Sequence, residues 1–250
     1  MSSTDSRWFL KPPSSESRVR LFCFPYSGCG ASMFRGWPAR LGEAGEVEVV
    51  PLQLPGRENR TREGHFGTYE KLADAAVDGI APYLDRPYAV FGHCGGALPA
   101  FETVLRVQER GLRLPERVFV SSQVAPQDGP YGRFLRLSPA ELERELRGLL
   151  AALGSPAPRS EMVELFLDVL IADVEANKRY HREAVPLGCP VTVIGWSDDV
   201  EVPHHLMTGW DAWAPCEKTV LAGSHYTFLD APGELTETLA RFLSPVNPRS

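Results

Sequence analysis

Short apolar runs rich in β-branched and aromatic residues recur along the chain at 19–24, 46–52, 88–92, 117–122, 190–195 and 218–222. Between most of them the apolar positions repeat with a helical period. In 68–84, Tyr69, Leu72, Ala73, Ala76 and Ile80 fall on one stripe; after Cys94, so do Ala97, Leu98, Phe101, Val104 and Leu105. Strand, turn, helix and strand in that rhythm predict an α/β fold: a mostly parallel sheet with helices on both faces.

The rhythm breaks at 127–181. Ser138-Pro139-Ala140-Glu141 reads as a capping box with Pro at the first helical position. Leu142, Leu146, Leu149 and Leu153 follow on one face until Gly154 and Pro156 stop the helix. A second helix is expected to start near Ser160, with Met162, Leu165, Phe166, Val169 and Leu170 as its stripe. Two amphipathic helices with no strand between them predict a helical lid inserted over one end of the sheet, within a single domain spanning 1–250.

Composition narrows the function classes. Of 250 residues, 43% are hydrophobic and 23% charged, which is globular composition. The balance of 26 basic against 32 acidic residues gives −6, which argues against a nucleic-acid partner. The charge-free stretch 87–101 falls short of the roughly 18 apolar residues of a membrane span. The N-terminal stretch 1–18 is Ser-rich and polar, without an apolar export core. Five cysteines, an odd number without metal-ligand spacing, read as thiols of a reducing cytoplasm, and no metal or organic cofactor is expected.

Gly92-His93-Cys94-Gly95-Gly96 follows an apolar strand and opens a helical pattern. It has the form G-x-C-x-G, a nucleophile elbow with Cys where Ser is usual. A strand turning abruptly into a helix strains the central backbone, and glycines two before and two after relieve the crowding. Such a nucleophile needs a base, an orienting carboxylate and an oxyanion hole, and elbows of this kind are followed in order by acid and histidine.

Of six histidines, His225 stands in a polar turn after the last predicted strand, where it can reach over the sheet edge; His93 lies inside the elbow, and His204 and His205 begin a helix. The acid is expected to leave the preceding strand, at Asp199 or Asp198; Asp199 is preferred, but spacing alone does not separate them. The oxyanion donors are expected from the Gly95 amide and from the glycine-rich loop 24–30, where no phosphate-loop Lys is present.

With those residues in place, the sequence resembles the type II thioesterases of polyketide and nonribosomal peptide assembly lines, within the α/β-hydrolase family. The resemblance covers almost the whole chain. It rests on 21–32 in the early strand and oxyanion segment, on Leu54-Pro55-Gly56-Arg57, on Gly92–Gly96, on Asp199-Val200-Glu201-Val202-Pro203, and on Gly223-Ser224-His225. It implies Cys94 as nucleophile, Asp199 as acid, His225 as base, and the Ser27 and Gly95 amides as oxyanion donors. The departures are Cys94 for Ser, Gly95 for a frequent Met, Val200 for a frequent Pro, and Tyr26-Ser27 for a frequent His-Ala pair.

Members of that family remove acyl groups from the phosphopantetheine thiol of acyl or peptidyl carrier proteins. The partners implied are such carrier domains and small-molecule thioesters, with a monomer sufficient. A thiol, of ordinary pKa about 8.5, ionises far more readily than a hydroxyl. Its acyl-enzyme is itself a thioester, nearly isoenergetic with the substrate, so the acyl group can pass to water or to another carrier thiol. Editing hydrolysis is the leading reading, acyl or aminoacyl transfer between carriers the second, and a degenerate carrier-binding protein the third. Carriers are typically acidic, so Arg57, Arg60 and Arg62, or Arg133 and Arg136, are candidate docking cations. Cys29 lies in the oxyanion loop and is weighed as a disulfide partner of Cys94.

Overall fold

The computed structural model describes residues 6–155 and 157–243; Pro156, an expected helix stop, lies outside them. Among the described residues the strands are β1 (Val19–Phe24), β2 (Arg40–Leu41), β3 (Val47–Pro51), β4 (Tyr88–His93), β5 (Arg117–Ser121), β6 (Val191–Trp196) and β7 (Cys216–Leu221). They form one sheet in the order β2-β3-β1-β4-β5-β6-β7, parallel throughout except for β2 against β3. Six strands stand within two residues of their expected positions. β2 escaped the sequence because two residues are too few to show an alternation.

β1, β4 and β6 are buried along their whole length, which is why they read as continuous apolar runs. Their side chains still divide by face. β1 sends Phe22 and Phe24 into one layer and Leu21 and Cys23 into the other. The first layer is closed by α1 (Tyr69–Ile80) and α2 (Ala97–Glu109), through Leu72, Ala76, Phe101 and Val104. α5 (Gly233–Arg241) lies over the second with Leu235 and Leu239.

The insertion between β5 and β6 contains α3 (Pro139–Ala152) and α4 (Ser160–Arg179). α3 starts on the expected capping box: Ser138 N–H donates to Glu141 Oε2 at 2.8 Å, and Glu141 N–H reaches Ser138 Oγ at 3.4 Å. The two helices pack on each other through a cluster of their own, including Leu142, Leu146, Val163, Leu170 and Val174. The stripe expected for α4 needs correction. Its Val169 and Leu170 are buried, but Met162 and Leu165 are 39% and 40% exposed, and Val163, Asp173, Val174 and Asn177 complete the inward face. Two polar residues on the buried face disguised part of it, so the apolar period alone carried the stripe's first turn toward solvent.

β1 pairs with β3 on one side and β4 on the other, so the chain order reverses between β1 and β4. Parallel α/β sheets form their crevice beyond the carboxyl ends of the strands at such a point. The loop after β1 and the elbow after β4 therefore meet there. No helix among the described residues is long and apolar enough to cross a membrane.

Candidate active site

Cys94 sits where β4 ends and a short 3-10 turn leads into α2, with φ +48°. That left-handed backbone is strained for a non-glycine residue and lifts the thiol out of the sheet. The flanking glycines are required by backbone, not by each other's side chains. A Cβ on Gly92 would press on the Gly96 carbonyl and the Ala97 backbone. A Cβ on Gly96 would lie 2.6 Å from Pro25 O and 2.8 Å from Phe24 O, at the exit of β1. Gly95 differs: a Cβ there would meet the Ser27 hydroxyl, the movable end of a side chain. Ser27 thus occupies the space that a side chain at position 95 would need, and the Ser27 and Gly95 backbones lie side by side.

His225 follows β7 and is 3% exposed. Its Nδ1 lies 2.9 Å from Asp199 Oδ2. Asp198, the alternative acid, is exposed and bonded to Ser197, so the structure brings Asp199 and not Asp198 to the histidine. Asp199 is held from every side. Ser122 Oγ donates to Oδ2 at 2.6 Å, and the Glu201 and Val202 amides donate to Oδ1 at 2.9 Å. Burial works to raise its pKa, but the His225, Ser122 and Val202 hydrogen bonds outweigh it and hold the carboxyl at about 2. For His225, burial works against the imidazolium, yet the Cys94 charge, the Asp199 hydrogen bond and Glu201 push it up to about 10.

Nε2 of His225 is buried without a hydrogen-bond partner among the described residues. The groups acting on the imidazole besides Asp199 are the Cys94 thiol and Glu201, whose Oε2 lies 3.7 Å from Nε2. His93, inside the elbow, points elsewhere: Nδ1 meets Ser121 Oγ at 2.9 Å and the ring stacks on Phe228 at 3.8 Å. Burial depresses its pKa, and the neighbouring His225 adds to this.

Tyr26, Ser27, Cys94 and Gly95 share a cavity with Tyr131–Leu135 from the insertion, Val174 and Asn177 of α4, and Glu201. Its volume is about 20 Å³, room for about one water molecule. Outside it opens a groove of about 780 Å³, lined by Tyr131, Arg133, Arg136, Lys178 and Glu201 among others. Segment 131–135 is the wall between them.

The loop after β1 is anchored to the insertion by Asp173 of α4. Its Oδ2 accepts from Gly28 N–H at 2.8 Å and Arg57 Nη1 at 2.9 Å; its Oδ1 meets Arg57 Nη2 at 2.9 Å and His65 Nε2 at 2.7 Å. Burial would raise the Asp173 pKa, but Arg57 and His65 hold it at about 2. This breaks up the first docking cluster: Arg57 is 1% and Arg60 5% exposed and both are spent on internal partners, so of its three members Arg62 alone is exposed. Arg133 and Arg136 do line the outer groove. All five cysteines are free, and burial pushes Cys29 up to about 12. Among the described residues no group of three or more His, Cys, Asp and Glu side chains could hold a metal ion.

Sequence reasoning missed Ser122, Asp173 and Asn177. Ser122 had a faint signal in Ser121-Ser122-Gln123, a polar break at a strand's carboxyl end. Asp173 and Asn177 sit within helical sequence that carries no local mark of what they face, and Glu201, one of three carboxylates in the turn after β6, gained a place beside His225 only in the fold.

The profile of the thioesterase domain matches residues 19–243. The chain is 30% identical to the gramicidin S biosynthesis protein GrsT of Aneurinibacillus migulanus, over 95% of this chain and 94% of that protein. It is 34% identical to the AMB antimetabolite synthetase AmbE of Pseudomonas aeruginosa over 96% of this chain, but spans only 11% of that much longer protein. The solved structure of the RedJ thioesterase from the prodiginine pathway of Streptomyces coelicolor is similar with a TM-score of 0.76. Its identity is 34%, with 95% of this chain and 99% of that chain covered.

Proposed function

The chain belongs to the thioesterase domain family, built on the α/β-hydrolase fold, and we propose that it is a type II thioesterase clearing acyl thioesters from carrier proteins through Cys94, His225 and Asp199. The observation that carries this reading is a strained elbow thiol that lines a cavity beside the paired Ser27 and Gly95 backbones and acts on a buried imidazole held by a carboxylate.

In the first half-reaction the Cys94 thiolate attacks the thioester carbonyl, and the Ser27 and Gly95 amides receive the developing oxyanion. His225, protonated at Nε2, gives that proton to the departing phosphopantetheine thiolate, leaving acyl-Cys94 and a free carrier thiol. In the second, His225 removes a proton from water, which attacks the acyl carbonyl. Collapse expels the Cys94 thiolate and releases the carboxylic acid. Asp199 keeps the proton on Nδ1 and stabilises the imidazolium in both halves.

The carrier would approach over the outer groove, where Arg133, Arg136 and Lys178 suit an acidic surface. An acyl group does not fit a 20 Å³ cavity, so segment 131–135 must swing out for substrate to enter, which is the sense in which the insertion serves as a lid. The second reading, transfer to another carrier thiol, is favoured by the thiol at position 94, because its acyl-enzyme retains the energy of a thioester.

The test is incubation with an acyl-phosphopantetheinyl carrier protein, with and without a second holo-carrier, followed by intact-protein mass spectrometry. A Cys94 adduct decaying to free acid regardless of the second carrier supports hydrolysis. Movement of the acyl mass to the second carrier with negligible acid supports transfer. No adduct and no turnover would refute both.

A further inference from the structure

The cavity over Cys94 holds polar acceptors that the chemistry above leaves unused. Glu201, 12% exposed, lines that cavity together with Cys94 and stands 3.7 Å from His225 Nε2. An acyl carbonyl bonded to Sγ would therefore stand close to that carboxylate. Asn177, from the lid helix α4, lines the same cavity; the residue is 7% exposed, and its Oδ1 is buried without a hydrogen-bond partner among the described residues. The Ser27 hydroxyl adds a third polar group beside Gly95.

Charge around the cavity is uneven. Glu201 faces two cationic groups, Arg133 at 3.4 Å, which is shared with Glu145, and the His225 imidazole at 3.7 Å. The imidazolium is answered by Asp199 on its other nitrogen. A wholly aliphatic acyl group entering here would bury the Asn177 oxygen unpaired and set the Glu201 carboxylate against apolar surface. Groups left in that state carry the full desolvation penalty. An ammonium beside the carbonyl would instead complete both, as an ion pair to Glu201 and a hydrogen bond to Asn177 Oδ1.

We propose that the Cys94 cavity selects acyl groups carrying a cationic amine on the carbon next to the thioester carbonyl or one further, with Glu201 and Asn177 as the residues that recognise it. This rests on the thioesterase reading above and specifies its substrate class.

The test compares the N-acetylcysteamine thioesters of alanine and of propionic acid. They share a leaving group and differ by one ammonium. Turnover is followed chromatographically, because thiol reagents would modify Cys94. In the wild type the alanyl thioester is expected to be the better substrate. Glu201→Gln lowers both rates and lowers the alanyl-to-propionyl ratio of kcat/KM by roughly tenfold, as expected when a built polar contact is removed. Glu201→Asp, which restores the charge, regains part of that ratio. Equal losses on the two substrates would mean that Glu201 acts on His225 alone, and would overturn the proposal; so would an unchanged ratio or a wild-type preference for propionyl. A wild type that turns over neither thioester, while Cys94 is still alkylated by iodoacetamide, overturns the thioesterase reading and this inference with it.

Discussion

Ser122 donates its hydroxyl to Asp199 Oδ2 at 2.6 Å, the same oxygen that meets His225 Nδ1 at 2.9 Å. Ser122 stands just past the end of β5 with φ +46°, Asp199 in the turn after β6, and His225 after β7. The carboxylate is thus fixed across the ends of adjacent strands, and its freedom to rotate away from the histidine is removed. A hydrogen bond to a charged group is worth about 1.5–3 kcal/mol. Ser122→Ala is accordingly expected to lower kcat/KM by about 10- to 100-fold while leaving iodoacetamide able to reach Cys94. Thioester turnover and alkylation rates check both halves of the statement.

Asp199→Asn removes the charge that helps hold the His225 imidazolium. The histidine, now pushed up to about 10, should fall back toward the usual value of 6.5. Imidazolium that persists in the wild type through pH 8 would then be lost below it. Titration of the histidine ring signals by NMR measures the shift directly; a midpoint unmoved by the substitution would contradict the assignment of Asp199 as the orienting acid.

Cys94→Ser exchanges the acyl-thioester intermediate for an oxyester. If the thiol serves transfer, exchange onto a second thiol should fall by more than hydrolysis does, since an oxyester no longer returns its acyl group readily to a thiol. If it serves hydrolysis, the two losses should match. Mass spectrometry of acid and of acylated acceptor distinguishes these outcomes.

Asp173 and Arg57, 2.9 Å apart and both buried, form an ion pair between α4 and the segment after β3. Removing one partner of a buried pair costs about 3–5 kcal/mol, so Asp173→Asn should lower unfolding free energy by that order at pH 7. The Asp173 carboxyl is held at about 2 against an ordinary 3.8, so its contribution is complete above pH 4 and is lost as pH falls toward 2. The gap between wild type and variant in urea midpoints should narrow over that window.

The elbow glycines should differ sharply. Gly96→Ala forces a methyl against two backbone carbonyls and is expected to reduce folded yield severely. Gly95→Ala meets a hydroxyl that can rotate, so the protein should fold with a small loss of stability. Thermal unfolding of the two variants tests the contrast.

The architecture and two of the candidate site residues, Cys94 and His225, were legible along the chain because they are written in local terms. β4 needs an unbroken apolar run to be buried on both faces; the elbow needs glycines where backbones touch; and His225 follows a strand. The capping box at Ser138 fixed the start of α3 for the same reason. What the sequence left open lay between segments distant along the chain. Spacing could not choose Asp199 over Asp198, because only the packing of β6 beside β7 turns one toward His225 and the other to solvent. Arg57 looked like a surface cation until Asp173, 116 residues away, was folded onto it. Met162 and Leu165 looked like core until Asp173 and Asn177 took the inward face of α4. Charge and burial are properties of surroundings, and for a polar side chain those surroundings are set by tertiary contacts rather than by its neighbours in sequence.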